Sequence, residues 1–428
     1  MNVRTVTLGV PLADGSGLAE IEPAARRFLD AIRAQLAREE VAVRTCRITT
    51  DPVRGAPGRP LNPAQVIGRV RALSQVCERL DVRWFNVPFD LVGAPDDGEL
   101  EALCSLAYDV LRRFPRSFVN LICAAGGRLS HDAMVRASRV VKSVAALDSS
   151  GFHNFRVGVS CGVPANGPFF PFTFSSDAAG VSLGLEMPQE MMKVVGAADG
   201  SSLVVVREAL LDALVPQVQR LDRVVGRVAG EEGFAYHGID VSIAPYPESN
   251  SSVAQLMEML GLEQYGGHGT LFLTAYLTDF LRELIRRSGI RSVGFNGVML
   301  SLLEDERMGQ RNNSNTYSID SLILYSTVCG CGVDMVPVPG DTFEEELSSL
   351  FLDVAAASLA LGKPLGVRVL PIPMKQENEF TGFNMEFLFN TRIKKMRNLG
   401  FLGRALRGEP FGFLGPRRSS DAEPEAKG

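Results

Sequence analysis

The feature that most constrains this chain is an alternation of two hydrophobic periods along its first third. A β-rich run at 4–10 gives way to apolar residues at helical spacing over 18–38. A strand pattern follows at 41–48, a helix at 63–80, a strand at 82–87, a helix at 99–113, a continuous apolar strand at 117–123 and a helix at 132–147. Strands separated by helices this long cannot pair as hairpins. They predict βαβ units and a largely parallel sheet with helices over both faces.

The rest of the chain varies this theme. The spacing predicts strands at 155–161, 181–186 and 236–240, a long helix at 202–228, a short helix and then a second one ending near Arg287, a short strand at 292–294, and an apolar segment at 319–328 that runs into Cys-Gly-Cys. Between two of these strands lies VPANGPFFPFTF, residues 163–174, with three prolines and four phenylalanines. Exposed phenylalanines in that number are a liability, so this loop is expected to pack over a cavity as a lid or plug. The run Gly340-Asp341-Thr342-Phe343-Glu344-Glu345 places a capping residue three positions before a glutamate, opening a helix that runs to Leu361 and stops at Gly362, with Pro364 beyond. A strand at 366–370 closes the pattern. No repeat of solenoid length is visible. We expect one large domain over 1–403 and, from about 404 to 428, a polar tail rich in Pro, Gly, Ser and charge that stays disordered.

Bulk properties exclude several classes of function. At 428 residues, 46 % hydrophobic and 22 % charged, the chain can bury a large core. A formal net charge of −5 gives no basic footprint for phosphates, so neither nucleic acid nor an anionic membrane surface is an expected partner. The longest apolar runs, such as 118–125, fall far short of the roughly 20 residues that span a bilayer, and no charged-then-apolar leader precedes the first strand. The seven cysteines are scattered and mostly sit in apolar segments, which suits reduced thiols. A cytoplasmic protein is the expectation. No C-x-x-C pair occurs and the four histidines show no i,i+4 pair, so a structural zinc site has little support.

Five places carry residues suited to chemistry. His268 lies in Gly266-Gly267-His268-Gly269-Thr270, where glycines let backbone approach a ligand and Thr270 can cap the following helix. A carboxylate or phosphate docking at that helix start would meet the imidazole as acid, base or ligand; a histidine that only braces a tight turn would give the same letters. Asp240 and Ser242 stand at a strand end, where α/β folds hold ligands, although an Asp fixing the Pro-rich turn fits equally. Asn296 and the acidic pair Glu304 and Asp305 form a third group, suited to acid–base work or to a hard divalent cation through oxygen, and equally to a solvated helix start. Cys329-Gly330-Cys331-Gly332 followed by Asp334 fits a thiolate nucleophile, a redox pair or a buried glycine turn. Arg368, alone in the apolar strand GVRVL, requires an anionic partner, either internal or bound.

In this order, GIDVSIAPYP, GGHGTLFLTAYLTD, GFNGVMLSLLEDE, YSTVCGCGVDMVPVPGDT and VRVLPIP resemble the bacterial and archaeal proteins labelled the PFL family, domain-of-unknown-function family 711. The resemblance covers roughly 4–381. It implies a large α/β barrel of the pyruvate formate-lyase and glycyl-radical-enzyme type, mostly parallel strands with outer helices. It matches the family's shared polar positions to Asp240, Ser242, His268, Gly269, Thr270, Cys329 and Asp334. Two departures stand out. No Arg-Val-x-Gly-Tyr type segment lies near the C-terminus, and Cys-Gly-Cys is not an adjacent cysteine pair, so radical catalysis is not implied. Where many members carry a histidine, residues 172–176 here read FTFSS.

These readings combine into an expectation. The chain is an enzyme acting on a small anionic metabolite, amino-acid-like or a carboxylate, with Asp240, His268 and Cys329 catalytic, Ser242, Gly269, Thr270, Asn296 and Arg368 binding substrate, and Glu304 and Asp305 available to a divalent metal. The alternative is a metabolite sensor working with a small amino-acid-binding (ACT-type) regulatory partner, a pairing suggested by the resemblance. Assembly as a homo-oligomer is left open.

Overall fold

The computed structural model describes residues 1–12, 17–55, 61–176, 179–198, 200–397, 399–404, 407–408 and 410–413. Its opening third follows the alternating pattern: β1 (Asn2–Val10), α1 (Gly17–Arg38), β2 (Val43–Thr50), α2 (Pro63–Arg79), β3 (Trp84–Asp90), α3 (Asp97–Arg113), β4 (Ser117–Ala125), the short β5 (Arg128–Leu129) and α4 (His131–Ala145). The middle holds β6 (Val157–Cys161), β7 (Gly180–Glu186), α5 (Pro188–Ala197), α6 (Leu203–Glu231) and β8 (Ala235–Asp240). The last part adds α7 (Val253–Met259), α8 (Thr270–Ser288), α9 (Glu306–Asn313), α10 (Ile319–Ser326), β9 (Gly332–Pro339), α11 (Glu344–Leu361), β10 (Leu365–Ile372) and β11 (Phe411–Gly412). Among the described residues, no helix is long and apolar enough to cross a membrane.

The strands form one mixed, mostly parallel sheet whose path runs β8-β7-β1-β2-β3-β4-β6-β10-β9. β1, β2, β3, β4 and β6 run parallel to one another. β7 joins β1 antiparallel and carries β8 parallel to itself, while β10 joins β6 antiparallel and carries β9. The ladder of regular strands is open, with β8 and β9 at its ends. One segment touches both ends through isolated parallel bridges: Ser292 pairs with Ile239 of β8, Val298 with Ile243 just after β8, and Ser301 with Asp334 of β9. The strand expected at 292–294 is therefore a bridged irregular segment, longer than expected. Helices pack neighbour on neighbour in the order α1, α2, α3, α4, α11, α10, α8, α6, and α6 touches α1 again.

Each strand gives alternate residues to opposite sides. On β4, Val119, Leu121 and Cys123 join the large core under the helices, and Cys123 Sγ reaches the Ala133 carbonyl of α4. The other set, Phe118 and Asn120, faces the Pro/Phe loop. That loop covers the face of the sheet opposite α4, with Phe169, Phe170 and Phe172 buried. It is tied by its backbone: Thr7 Oγ1 donates to the Pro168 carbonyl at 2.8 Å, and the Asn86 and Asn120 amides donate to the Thr173 carbonyl at 2.7 and 3.4 Å. Room comes from glycines on the facing strands. A Cβ on Gly366 would lie 2.5–2.7 Å from three ring atoms of Phe172, and one on Gly184 would lie 2.8 Å from Phe169. Gly366→Ala is thus expected to destabilise the protein by about 1–3 kcal/mol through overpacking, and pairing it with Phe172→Leu to restore most of that loss in urea unfolding.

Some local expectations need correction. The helix after Gly340 is capped by neither Asp341 nor Thr342: its N-cap is Phe343, whose N–H is taken by Glu346, while Asp341 accepts from Gln376 and Thr342 donates to the Pro339 carbonyl. Within the expected tail, Phe411–Gly412 pair antiparallel with Arg128–Leu129. Residues 405–406, 409 and 414–428 of that tail lie outside the described residues.

Candidate functional site

On the same face of the sheet, next to the Phe loop, the strands bring together charges that are far apart in sequence. β10 supplies Arg368, whose Nε and Nη2 grip the two carboxylate oxygens of Asp334 on β9 at 2.7 and 2.8 Å. The same Nη2 reaches Glu304 at 2.9 Å, and Ser301 donates to that carboxylate at 2.7 Å. Glu304 in turn meets Arg4 of β1 at 3.5 Å, and Arg4 meets Glu186 of β7 at 3.2 Å. Arg44 of β2 closes the chain by gripping Glu186 through Nε and Nη2 at 2.6 and 2.7 Å. Arg4, Glu186, Asp334 and Arg368 are all buried. Charges this deep persist only as pairs.

A cavity of about 50 Å³ opens within this array, lined by Arg4, Arg47, Arg368, Glu304, Asp334 and Cys331, with the Phe loop forming its aromatic wall. That volume suffices for a few waters or one small molecule. The lining carries three guanidiniums against two carboxylates. Arg47 of β2 accounts for the excess: its Nε donates to Thr45 Oγ1 at 3.0 Å and its guanidinium lies 5.2 Å from the centre of the Phe170 ring, but among the described residues no carboxylate lies within ion-pair distance of it. Burial, then the like charge of Arg4, lowers its pKa to about 9, and Arg368 adds to the effect. The two carboxylates are driven apart. Burial works to raise Glu304, but Arg368 and Arg4 outweigh it and hold the group below the usual range. Burial raises Asp334 against the opposing pull of Arg368.

Asp240, Ser242 and Asn296 are brought together, as a staple. Asp240 Oδ1 accepts from Ser242 N at 2.9 Å, Ser242 Oγ at 2.5 Å and Asn296 N at 3.0 Å, while Oδ2 accepts from Phe295 N at 2.7 Å. Asn296 Oδ1 returns the link by accepting from Val241 N, and Ser242 Oγ accepts from Gly297 N. The group fastens the end of β8 to the bridging segment and faces its own backbone. His268 is exposed at the tip of the turn before α8, and no hydrogen bond links it to Asp240. The N-cap there is Gly269, with φ 100°; Thr270, expected to cap, instead closes the turn by accepting from Gly266 N and donating to the Gly267 carbonyl. Neither Asp240 nor His268 lines the cavity.

Glu304 and Asp305 face different partners. Asp305 accepts from Ser252 Oγ, Val253 N, Ala254 N and Met308 N, capping α7 and α9, so the two side chains do not converge on a shared cation. Among the described residues, no group of three or more His, Cys, Asp or Glu side chains is placed to hold a metal ion. Cys329 and Cys331 are both buried, and it is Cys331 that faces the cavity. Leu300 N donates to Cys331 Sγ at 3.1 Å. Arg4 and Arg47 were passed over in the sequence; Arg4 is a lone cation in an apolar strand, the same signal that singled out Arg368, whereas Arg47 shares its strand with Arg44.

Similar proteins carry no named activity. A "UPF0210 protein" of Ligilactobacillus salivarius (strain UCC118) is 27 % identical over 409 residues, covering 90 % of this chain and 88 % of the relative. A "UPF0210 protein" of Pyrobaculum arsenaticum is 28 % identical over 374 residues, covering 84 % of this chain and 80 % of the relative. The model of the family described as "Uncharacterised ACR (DUF711)" matches residues 1–385, and the chain belongs to that family.

Proposed function

We propose that this protein is an enzyme that takes a small anionic, carboxylate-bearing metabolite into the interior of a barrel and works on it by acid–base chemistry, without a glycyl radical. Closure of the sheet is part of the proposal: the segment bridged to both β8 and β9 would serve as the closing strand, and the return of the helix layer from α6 to α1 supports such a ring. The barrel proposed is of the glycyl-radical-enzyme type. The observation that carries the functional reading is Arg47, a cation lining the cavity with no carboxylate within ion-pair distance among the described residues. A bound anion would supply the missing charge. Glu304, held ionised, and Asp334, pushed toward its protonated form, are two carboxyls with opposed tendencies beside that ligand, the pattern of an acid and base pair.

The test uses Arg47→Met. The free variant is expected to be about as stable as wild type, because the half-buried Arg47 guanidinium has no carboxylate within ion-pair distance to lose. Two- to four-carbon carboxylates and inorganic phosphate are expected to raise the wild-type melting midpoint in a concentration-dependent way, by about 2.7 kcal/mol of stability at 100 times Kd. The variant is expected to show no such rise. Equal stabilisation of both proteins would place anion binding elsewhere.

The sensor reading draws on a different surface. Val204, Val205 and Phe272 are exposed by 72, 54 and 62 %, and Tyr276 Oη donates to the Leu203 carbonyl at 2.6 Å, which joins the two helix starts that carry them. A small regulatory partner that bound there and was lost with Phe272→Ser, with no turnover of any carboxylate, would favour it.

A further inference from the structure

The two cysteines are not absorbed by the anion site, yet one of them lines it. Cys331 follows Gly330, which packs face to face against Gly297; a Cβ on Gly330 would lie 2.5 Å from the Gly297 Cα. That contact sets the Cys-Gly-Cys turn against the bridging segment. Gly366 N donates to the Cys331 carbonyl at 2.9 Å, and Lys363 Nζ donates to the carbonyls of Cys329, Thr327 and Ser326, so the turn is held from β10 as well. Of the two sulfurs, Cys331 Sγ faces the cavity shared with Arg47, and Cys329 lies behind it, fully buried.

Resting on the anion-binding reading above, we propose that Cys331 is a nucleophile aimed at the ligand held by Arg47, and that the substrate class is a short carboxylate with an electrophilic carbon next to the carboxylate. The cavity sets the size: about 50 Å³ holds only a few heavy atoms, so a ligand whose carboxylate meets Arg47 brings its neighbouring carbon toward Cys331. In the step, Cys331 Sγ forms a bond to that carbon and the displaced electron pair leaves with the departing group. The thiol proton is lost to water, and the thiolate is the attacking form. The neighbouring Cys329 and burial hold Cys331 above the ordinary thiol range, and the Leu300 N–H that donates to its sulfur at 3.1 Å opposes them.

Iodoacetate and iodoacetamide test this directly. Both form a C–S bond with loss of iodide, but only the first carries a carboxylate. A thiolate in open solution repels the anionic reagent, so it reacts at least as fast with the neutral amide. At Cys331 the order is expected to reverse, with iodoacetate faster by about tenfold, the equivalent of one favourable ion pair. Peptide mass spectrometry of the native protein identifies the labelled residue and its rate. Arg47→Met is expected to abolish the preference while leaving labelling by the amide. No labelling of Cys331 by either reagent, or equal rates in wild type, overturns the proposal. If Cys331 is inert while carboxylates still stabilise wild type and not Arg47→Met, the anion site stands and the nucleophile falls.

Discussion

Replacing Arg368 by methionine is expected to lower the unfolding free energy by about 3–5 kcal/mol, the loss typical when one member of a buried ion pair is removed. The guanidinium holds Asp334 through two bonds and Glu304 through a third, and none of the three side chains has enough exposure to be hydrated instead. Without it, Asp334 loses its counter-ion, and Glu304 keeps only Arg4 at 3.5 Å and the Ser301 hydroxyl. Adding Asp334→Asn to Arg368→Met is expected to return most of the loss, because the stranded charge disappears. Urea unfolding of the two single variants and the double variant gives the coupling. The contrast with Arg47 is the informative part. Both arginines line one cavity, yet one completes an internal pair and the other does not, so the same substitution is expected to weaken the protein at 368 and not at 47. Equal losses at both positions would mean that Arg47 has an internal partner and that the cavity offers no excess charge.

That contrast also marks how far the sequence could be read. The alternation up to α4 was legible because strand and helix differ in period and each element is long. Nothing local announces that β7 and β10 enter the sheet antiparallel, since pairing is decided by distant partners. β9 was hidden because its stretch opens in Cys-Gly-Cys-Gly and bends at Met335, whose φ is 54°, with the register slipping beside it. The helix α5 was missed although Pro188 at its first turn is a start signal. At the site, a lone charge in an apolar strand proved more informative than a glycine-rich turn. The glycines around His268 serve the turn itself: Gly266 and Gly269 have φ 97° and 100°, and a Cβ on Gly266 would lie 2.8 Å from the Thr316 carbonyl. Glycine that admits a ligand and glycine that admits the chain's own backbone are the same letter.

Asp240→Ala is the second large effect, expected to cost at least about 3 kcal/mol. It leaves the N–H groups of Ser242, Phe295 and Asn296 without their acceptor in a buried place, each worth about 1–3 kcal/mol when stranded. Because these bonds fasten β8 to the segment that also reaches β9, the variant is further expected to speed hydrogen exchange along 292–301. Asp240→Asn keeps the shape and one accepting oxygen, so it isolates the charge. Burial outweighs the four donors and raises the carboxyl to about 6. The unfolded group titrates near about 3.9, so the folded protein takes up this proton first as pH falls. The group's contribution to stability therefore grows between pH 6 and about pH 4 and is flat above. The cost of Asp240→Asn is accordingly expected to be larger near about pH 4.5 than near about pH 7.5, by about 2 kcal/mol at ~1.4 kcal/mol per pK unit. A cost that shrinks on acidification would show that the four donors hold the carboxylate ionised against burial, and would make Asp240 a fixed negative charge at the seam instead of a neutral acid within it.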